Sequence, residues 1–171
     1  MTNKTPLASR YLKVNHAGEN GAVNIYKAQI LVSRLLHPKL VQELTHFQAH
    51  EENHREIFKT ELHSRGVRRC RSYFVCGLGG YVLGLITALL GKNAIAATTV
   101  AVEKVVLIHL EHQISKLTGK DDNAVKAISS IVVEEKEHRD HFTVQNNRLI
   151  PILTYTISTS TKIVIWLVLK L

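Results

Sequence analysis

HEENH, residues 50–54, and EEKEH, residues 134–138, are two versions of one pattern, and their reading decides the fold. Each contains Glu-x-x-His: Glu51 with His54, and Glu135 with His138. A lone glutamate stands upstream of each, Glu19 before the first and Glu103 before the second. The same interval separates Glu19 from Glu103, Glu51 from Glu135 and His54 from His138. Glutamate and histidine three residues apart on a helix point to one side. The flanking apolar residues keep that phase. Val23, Tyr26 and Ile30 follow Glu19, while Leu44, Phe47 and Phe58 share a stripe with Glu51 and His54. Ala96, Val100 and Leu107 flank Glu103, and Ile128, Ile131, Val132 and Phe142 flank Glu135. Each of the four glutamates thus stands where a core residue is expected.

A buried carboxylate is strongly penalised unless it is paired, protonated or bound to metal. Four converging on one place repel, and two divalent cations would cancel their charge. Four Glu and two His from four helices is the ligand pattern of ferritin-like di-iron and di-manganese bundles. Mixed oxygen and imidazole ligation suits iron or manganese better than structural zinc. The expected metal ligands are therefore Glu19, Glu51, His54, Glu103, Glu135 and His138.

Nothing alternates like a strand, so the chain reads as all-α. Ligand helices are expected at about residues 15–36, 39–65, 93–117 and 123–149. His37-Pro38 ends the first, and Gly66 caps the second in the left-handed region. Gly119 stops the third of these, and Asp121-Asp122-Asn123 opens the fourth. Pro151 is expected to interrupt before a last helix carrying Ile163 to Leu169, in an apolar segment of about 157–171. The uncharged stretch of about 72–91 becomes the long crossover that a ferritin-like bundle requires. By size the 171 residues make one domain.

Short motifs arise by accident, and Glu43 with His46 is such a case, since its shifted positions are Ala127 and Ser130. A zinc site on the His46, His50 and His54 stripe would leave the second half of the repeat unused. His16 and His109 lie near the lone glutamates and fit either a supporting hydrogen bond or an ordinary core position. His141 reads as a surface residue.

The formal net charge is +8, with Arg65, Arg68, Arg69 and Arg71 crowded before the uncharged stretch. No aromatic or groove-reading element accompanies them, so anionic lipid is the expected partner and nucleic acid is not. The crossover contains Gly77, Gly79, Gly80, Gly84 and Gly91, which suit a lone spanning helix poorly. A single crossing would also put the two ligand halves on opposite sides of the bilayer. An interfacial helix is expected, with Trp166 and the ending KIVIWLVLKL as a second apolar surface. Cys70 and Cys76 have no metal-binding spacing, which points to a reducing compartment. The start MTNKTPLASRYLKVNH has no apolar signal region, so a bacterial cytoplasmic face is expected.

The runs NHAGENGAVNIY (residues 15–26), HEENH, TVAVE (residues 99–103) and EEKEH resemble the demethoxyubiquinone hydroxylases. The resemblance extends from about Val14 to the C-terminus, and the His-Ala-Gly-Glu-x-Gly-Ala run from His16 is its most specific part. It implies the same six residues as ligands of two Fe ions, Fe2+ in the reduced form. It also implies O2-dependent hydroxylation of a demethoxyquinol ring, the penultimate step of ubiquinone biosynthesis. Electrons would come from NADH or from reduced quinone. The implied partners are a polyprenylated quinol, O2, a membrane surface and other ubiquinone-biosynthesis proteins. The implied site is the inner membrane, peripheral, on the cytoplasmic side in a bacterium or the matrix side in a mitochondrion. His109 matches a histidine near the substrate pocket, and Tyr26 is a second candidate for that pocket. Asn15 stands where the family usually has Asp, Asn20 where Tyr is common, and Lys104 where a second Glu often follows the ligand. Competing readings are a ferritin-like iron-handling protein, a manganese catalase-like enzyme and a purely structural membrane adaptor. Storage predicts a soluble cage, catalase predicts peroxide turnover without quinone, and an adaptor would tolerate loss of Glu135.

Overall fold

The computed structural model describes residues 6–142 and 149–170, with side chains described for 6–142 and 151–166. Every regular element among them is helical: α1 Leu7–Leu36, α2 Val41–Ser64, α3 Tyr73–Leu89, α4 Lys92–Leu117, α5 Asp122–Ser129, α6 Val132–His141 and α7 Leu149–Lys170. A short 3-10 turn, Pro38–Leu40, joins α1 to α2. The architecture is an all-α bundle of ferritin-like type. α1 packs on α2 and α3, while α4 packs on α5, α6 and α7.

Several boundaries differ from the sequence expectation, each for a local reason. α1 starts at Leu7, about two turns before the expected Asn15, because Ala8, Tyr11 and Leu12 are buried against Phe58, Leu62 and Leu110. The expected continuous helix of residues 123–149 is two helices with a break at Ser130-Ile131. Ser130 Oγ donates to the Ala127 carbonyl at 2.9 Å, a back-bond that bends helices. Both linking residues keep right-handed helical dihedrals, so the chain kinks without turning back. α6 ends at His141, and residues 143–148 lie outside the described part. Pro151 does not interrupt. It is the third residue of α7, where a missing N–H costs nothing because first-turn donors have no partner within the helix.

Other signals take their expected form. Gly66 has φ 62°, and Val67 N–H reaches back to the Leu62 carbonyl at 2.9 Å, closing α2. Asp121 caps α5 by accepting from Ala124 N–H at 3.1 Å. The same carboxylate accepts from Arg65 Nη1 at 2.6 Å, which ties the end of α2 to the start of α5.

The apolar core has two main parts, and the glutamates fall between them on every ligand helix. One part gathers Leu12, Phe58, Leu62, Leu110 and Ile128, and the other gathers Tyr26, Ile30, Leu44, Phe47 and Ile95. Glu19 lies between Leu12 and Tyr26 on α1, and Glu51 lies between Phe47 and Phe58 on α2. Glu103 is likewise placed between Ile95 and Leu110 on α4.

The glycines of α3 serve close packing. Gly77, Gly80 and Gly84 are buried on the side facing α1. A Cβ on Gly80 would collide with the Gly21 carbonyl oxygen, and one on Gly84 with that of Ile25. The opposite face of α3 exposes Phe74, Val75, Leu78, Val82 and Ile86 to solvent. At 17 residues α3 is shorter than the ~20 needed to span a bilayer. α4 is long and apolar enough by composition, yet most of its apolar window is buried in the bundle.

Two neighbouring substitutions separate these roles. Gly80→Ala should destabilise by about 1–3 kcal/mol through overpacking against α1. Gly79, exposed with open space around it, should tolerate alanine and gain up to about 1 kcal/mol of helix stability. Urea midpoints of the two variants check this, and equal midpoints would remove the close-packing argument.

Candidate metal centre

The four ligand helices bring all six expected residues to one buried place. Ligand atoms of Glu19, Glu51, His54 and Glu135 lie within 4.8 Å of one another, as do those of Glu51, Glu103, Glu135 and His138. The two groups share Glu51 and Glu135. One group is completed by Glu19 and His54, the other by Glu103 and His138. Each group is large enough to hold a metal ion.

The imidazoles cross between the halves. His54 Nδ1, from α2, lies 2.9 Å from Glu135 Oε1 of α6. His138 Nδ1, from α6, lies 3.0 Å from Glu51 Oε1 of α2. Neither approach has hydrogen-bond alignment: His54 Nδ1, His138 Nδ1, Glu51 Oε1 and both Glu135 oxygens are buried without a hydrogen-bond partner. Orphaned buried polar atoms are rare and each needs an explanation. Inward-facing imidazole nitrogens and carboxylate oxygens without hydrogen-bond partners, one histidine in each group, fit divalent cations.

The electrostatics agree. Burial, then the charges of Glu135 and Glu51, raises the Glu19 pKa well above the ordinary carboxylate value. Burial and Glu135 do the same to Glu103. Burial opposes charge on His54, but the close carboxylates of Glu135, Glu51 and Glu19 outweigh it and raise the imidazole's pKa. Burial would also raise Glu51, but His138 and His54 prevail and hold it well below its usual range. Burial and mutual repulsion thus oppose charge on Glu19 and Glu103, while the carboxylates around His54 favour its charged form.

The sequence did not single out Glu134, and it marked His50 only as part of a zinc-like histidine stripe. Glu134 Oε2 lies 2.7 Å from His54 Nε2, and His50 Nδ1 lies 3.0 Å from His138 Nε2. Each holds the outer nitrogen of an imidazole whose inner nitrogen faces the cluster. The available signal was positional, since each stands immediately before the glutamate of its Glu-x-x-His pair.

The remaining candidates separate. Glu43 pairs with the exposed His141 at 3.1 Å, away from the centre. His46 is exposed. His16 is buried and stacks on Tyr73 at 4.8 Å, and burial and Arg55 lower its pKa to about 4. His109 is half-buried on α4, where burial, His112 and Lys162 lower its pKa, so it lies toward α7 and not in the cluster. Tyr26 is buried beside Glu103. Its hydroxyl and that of Thr99 have no hydrogen-bond partner, and both residues line a small cavity of about 10 Å³ with Ala22, Thr98 and Glu103.

The three departures also find places. Asn15 and Gln113 exchange two side-chain hydrogen bonds, at 2.7 and 3.0 Å, in a buried pair. Asn20 donates to the Tyr73 carbonyl at 2.9 Å and accepts from Arg55 Nη1 at 3.1 Å. Lys104 is exposed.

A helical bundle around a buried carboxylate and histidine cluster able to hold metal defines the class of protein. The family model described as ubiquinone biosynthesis protein COQ7 matches residues 6–168. The chain is 35% identical to the 3-demethoxyubiquinol 3-hydroxylase of Rhodospirillum rubrum over 94% of its own length and 76% of the relative's. It is 31% identical to the mitochondrial NADPH-dependent 3-demethoxyubiquinone 3-hydroxylase of Dictyostelium discoideum, over 96% of this chain and 77% of the relative. The chain belongs to the ubiquinone biosynthesis protein COQ7 family.

Metal should compete with protons at these buried carboxylates and imidazoles. Binding of a divalent cation near neutral pH is expected to release protons, and affinity should fall as pH falls. Calorimetry in buffers of different ionisation enthalpy measures this directly, and zero net release would contradict the charge assignment. Glu135→Ala or His138→Ala should abolish metal retention while helical circular dichroism persists, because removing a buried ligand relieves a polar burden. Full retention of metal by either variant would count against that residue as a ligand.

Proposed function

We propose that this chain is an O2-dependent di-iron monooxygenase that hydroxylates the ring of 3-demethoxyubiquinol. The observation that carries the reading is the pair of buried Glu and His sets sharing Glu51 and Glu135, in a chain whose relatives are named for that hydroxylation. Glu19 and His54 would hold one iron, Glu103 and His138 the other, with Glu51 and Glu135 serving both. When bound, a reduced iron pair would supply two electrons for O2 activation, so that, with two protons taken up, one oxygen atom would enter the ring and the other leave as water.

The chain's own residues set the conditions. The two apolar clusters keep bulk water from the cluster, and the outer hydrogen bonds of His54 and His138 fix which ring nitrogen faces inward. The unpaired hydroxyls of Tyr26 and Thr99 beside Glu103 are the proposed contacts for the quinol ring. Reduced nicotinamide is the proposed electron source; the names of the mitochondrial relatives specify NADPH.

A polyprenylated quinol resides in a bilayer, and the proposed location is the membrane surface. The exposed apolar face of α3 is the proposed contact, entered from Arg68, Arg69 and Arg71, all exposed, with the Arg69 guanidinium 4.4 Å from the Phe74 ring centroid. Inner-membrane attachment on the cytoplasmic or matrix side follows from this reading. A storage cage gives no reason for such a face.

Iron-loaded protein supplied with reduced demethoxyquinone and 18O2 should yield a quinone carrying one labelled ring oxygen. Peroxide consumption without ring labelling would instead favour the catalase-like reading, and iron uptake without any turnover would favour iron handling.

A further inference from the structure

The two halves of the cluster offer identical inner chemistry: each contributes a lone Glu and a His, and both share Glu51 and Glu135. The layer outside is different. His50 and Glu134 occupy equivalent positions of the repeat, each one residue before its Glu-x-x-His pair, and each supports the histidine of the other half. The fold therefore provides two matching outer positions, which the sequence fills with an imidazole and a carboxylate.

We infer that the two metal positions are unequal, the one completed by Glu19 and His54 filling before the one completed by Glu103 and His138, because His54 rests on the carboxylate of Glu134 and His138 on the imidazole of His50. The inference rests on the metal-binding reading above. His54 Nε2–H donates to Glu134 at 2.7 Å, so a full negative charge backs that ring and strengthens its inner nitrogen as a donor to metal. With metal on its inner nitrogen, His138 carries its proton on Nε2 and would donate it to His50 Nδ1, 3.0 Å away, and a neutral acceptor strengthens the ring less. Glu134 Oε2 is also 3.8 Å from His50 Nδ1. That separation is beyond hydrogen-bond reach, so Glu134 is the partner of His54. Outer hydrogen bonds to metal-bound histidines change metal affinity by roughly ten- to a hundredfold, so a preference near the lower end is expected.

The test uses the full chain crystallised with one equivalent of Co2+, with anomalous peaks compared at the two positions. About tenfold higher occupancy at Glu19 and His54 is expected. The side chains of His50 and Glu134 are 22% and 37% exposed, so exchanging them leaves the core intact, as circular dichroism will verify. His50→Glu should even the two peaks, and the double exchange His50→Glu with Glu134→His should reverse the preference. Even peaks in the unaltered chain, a preference for Glu103 and His138, or a preference unmoved by the double exchange would overturn the inference. Excess Co2+ separates the two readings: peaks at both positions with excess but even occupancy at one equivalent defeat only the inequality. No peak at either position with excess defeats metal binding itself.

Discussion

Four carboxylates and two imidazoles share a dry layer between two apolar clusters, and the rest of the molecule is arranged around that fact. In a medium of low dielectric, like charges at these separations repel strongly and unpaired polar atoms lose their solvation without compensation. The bundle tolerates this because each ligand helix is anchored by apolar residues on both sides of its polar turn. Leu12 and Tyr26 do so on α1, as Phe58 and Phe47 do on α2. The stability of the apolar ends holds the polar middle in place. The raised Glu19 and Glu103 are the imprint of that constraint in the absence of metal.

The same constraint explains why the crossover is a packed helix. A loose connection would leave α1, which carries Glu19, without the helix packed along its outer side. α3 instead lies against α1 so closely that Gly80 and Gly84 leave no room for a Cβ. Gln29 of α1 donates to Thr87 of α3 at 3.2 Å within that seam. Because glycine takes the inner face, the larger side chains Phe74, Leu78 and Val82 are left on the outside. One sequence decision thus produces both the tight seam and the exposed apolar face on which the membrane proposal rests.

How much of this could be read beforehand depended on distance along the chain. The four glutamates and two histidines were legible because helical periodicity and a repeated interval are both properties of sequence. The Gly66 end and the Asp121 cap were legible for the same local reason. The break at Ser130 was not, since the apolar phase from Ile128 to Glu135 runs through it almost undisturbed. Pro151 misled because its effect depends on its distance from the helix start, and Leu149 gives no capping signal. Glu134, and the place of His50 beside His138, were missed because their partners lie on the opposite helix. Spacing tells which residues share a face but not which faces meet.

The departures at positions 15 and 20 illustrate how the chain absorbs changes near a charged layer. An aspartate at position 15 would place another carboxylate four residues before Glu19. Asn15 forms instead a reciprocal amide pair with Gln113, linking α1 to α4 with donors and acceptors matched and no added charge. Asn20 meets Arg55, the residue after His54, and the Tyr73 carbonyl at the start of α3, so one amide connects three helices beside the site. The first ties α1 to α4 across the two halves, and the second holds α1, α2 and α3 together. A cluster dependent on the approach of α1, α2, α4 and α6 is served by such ties, because its own groups separate unless something outside them prevents it.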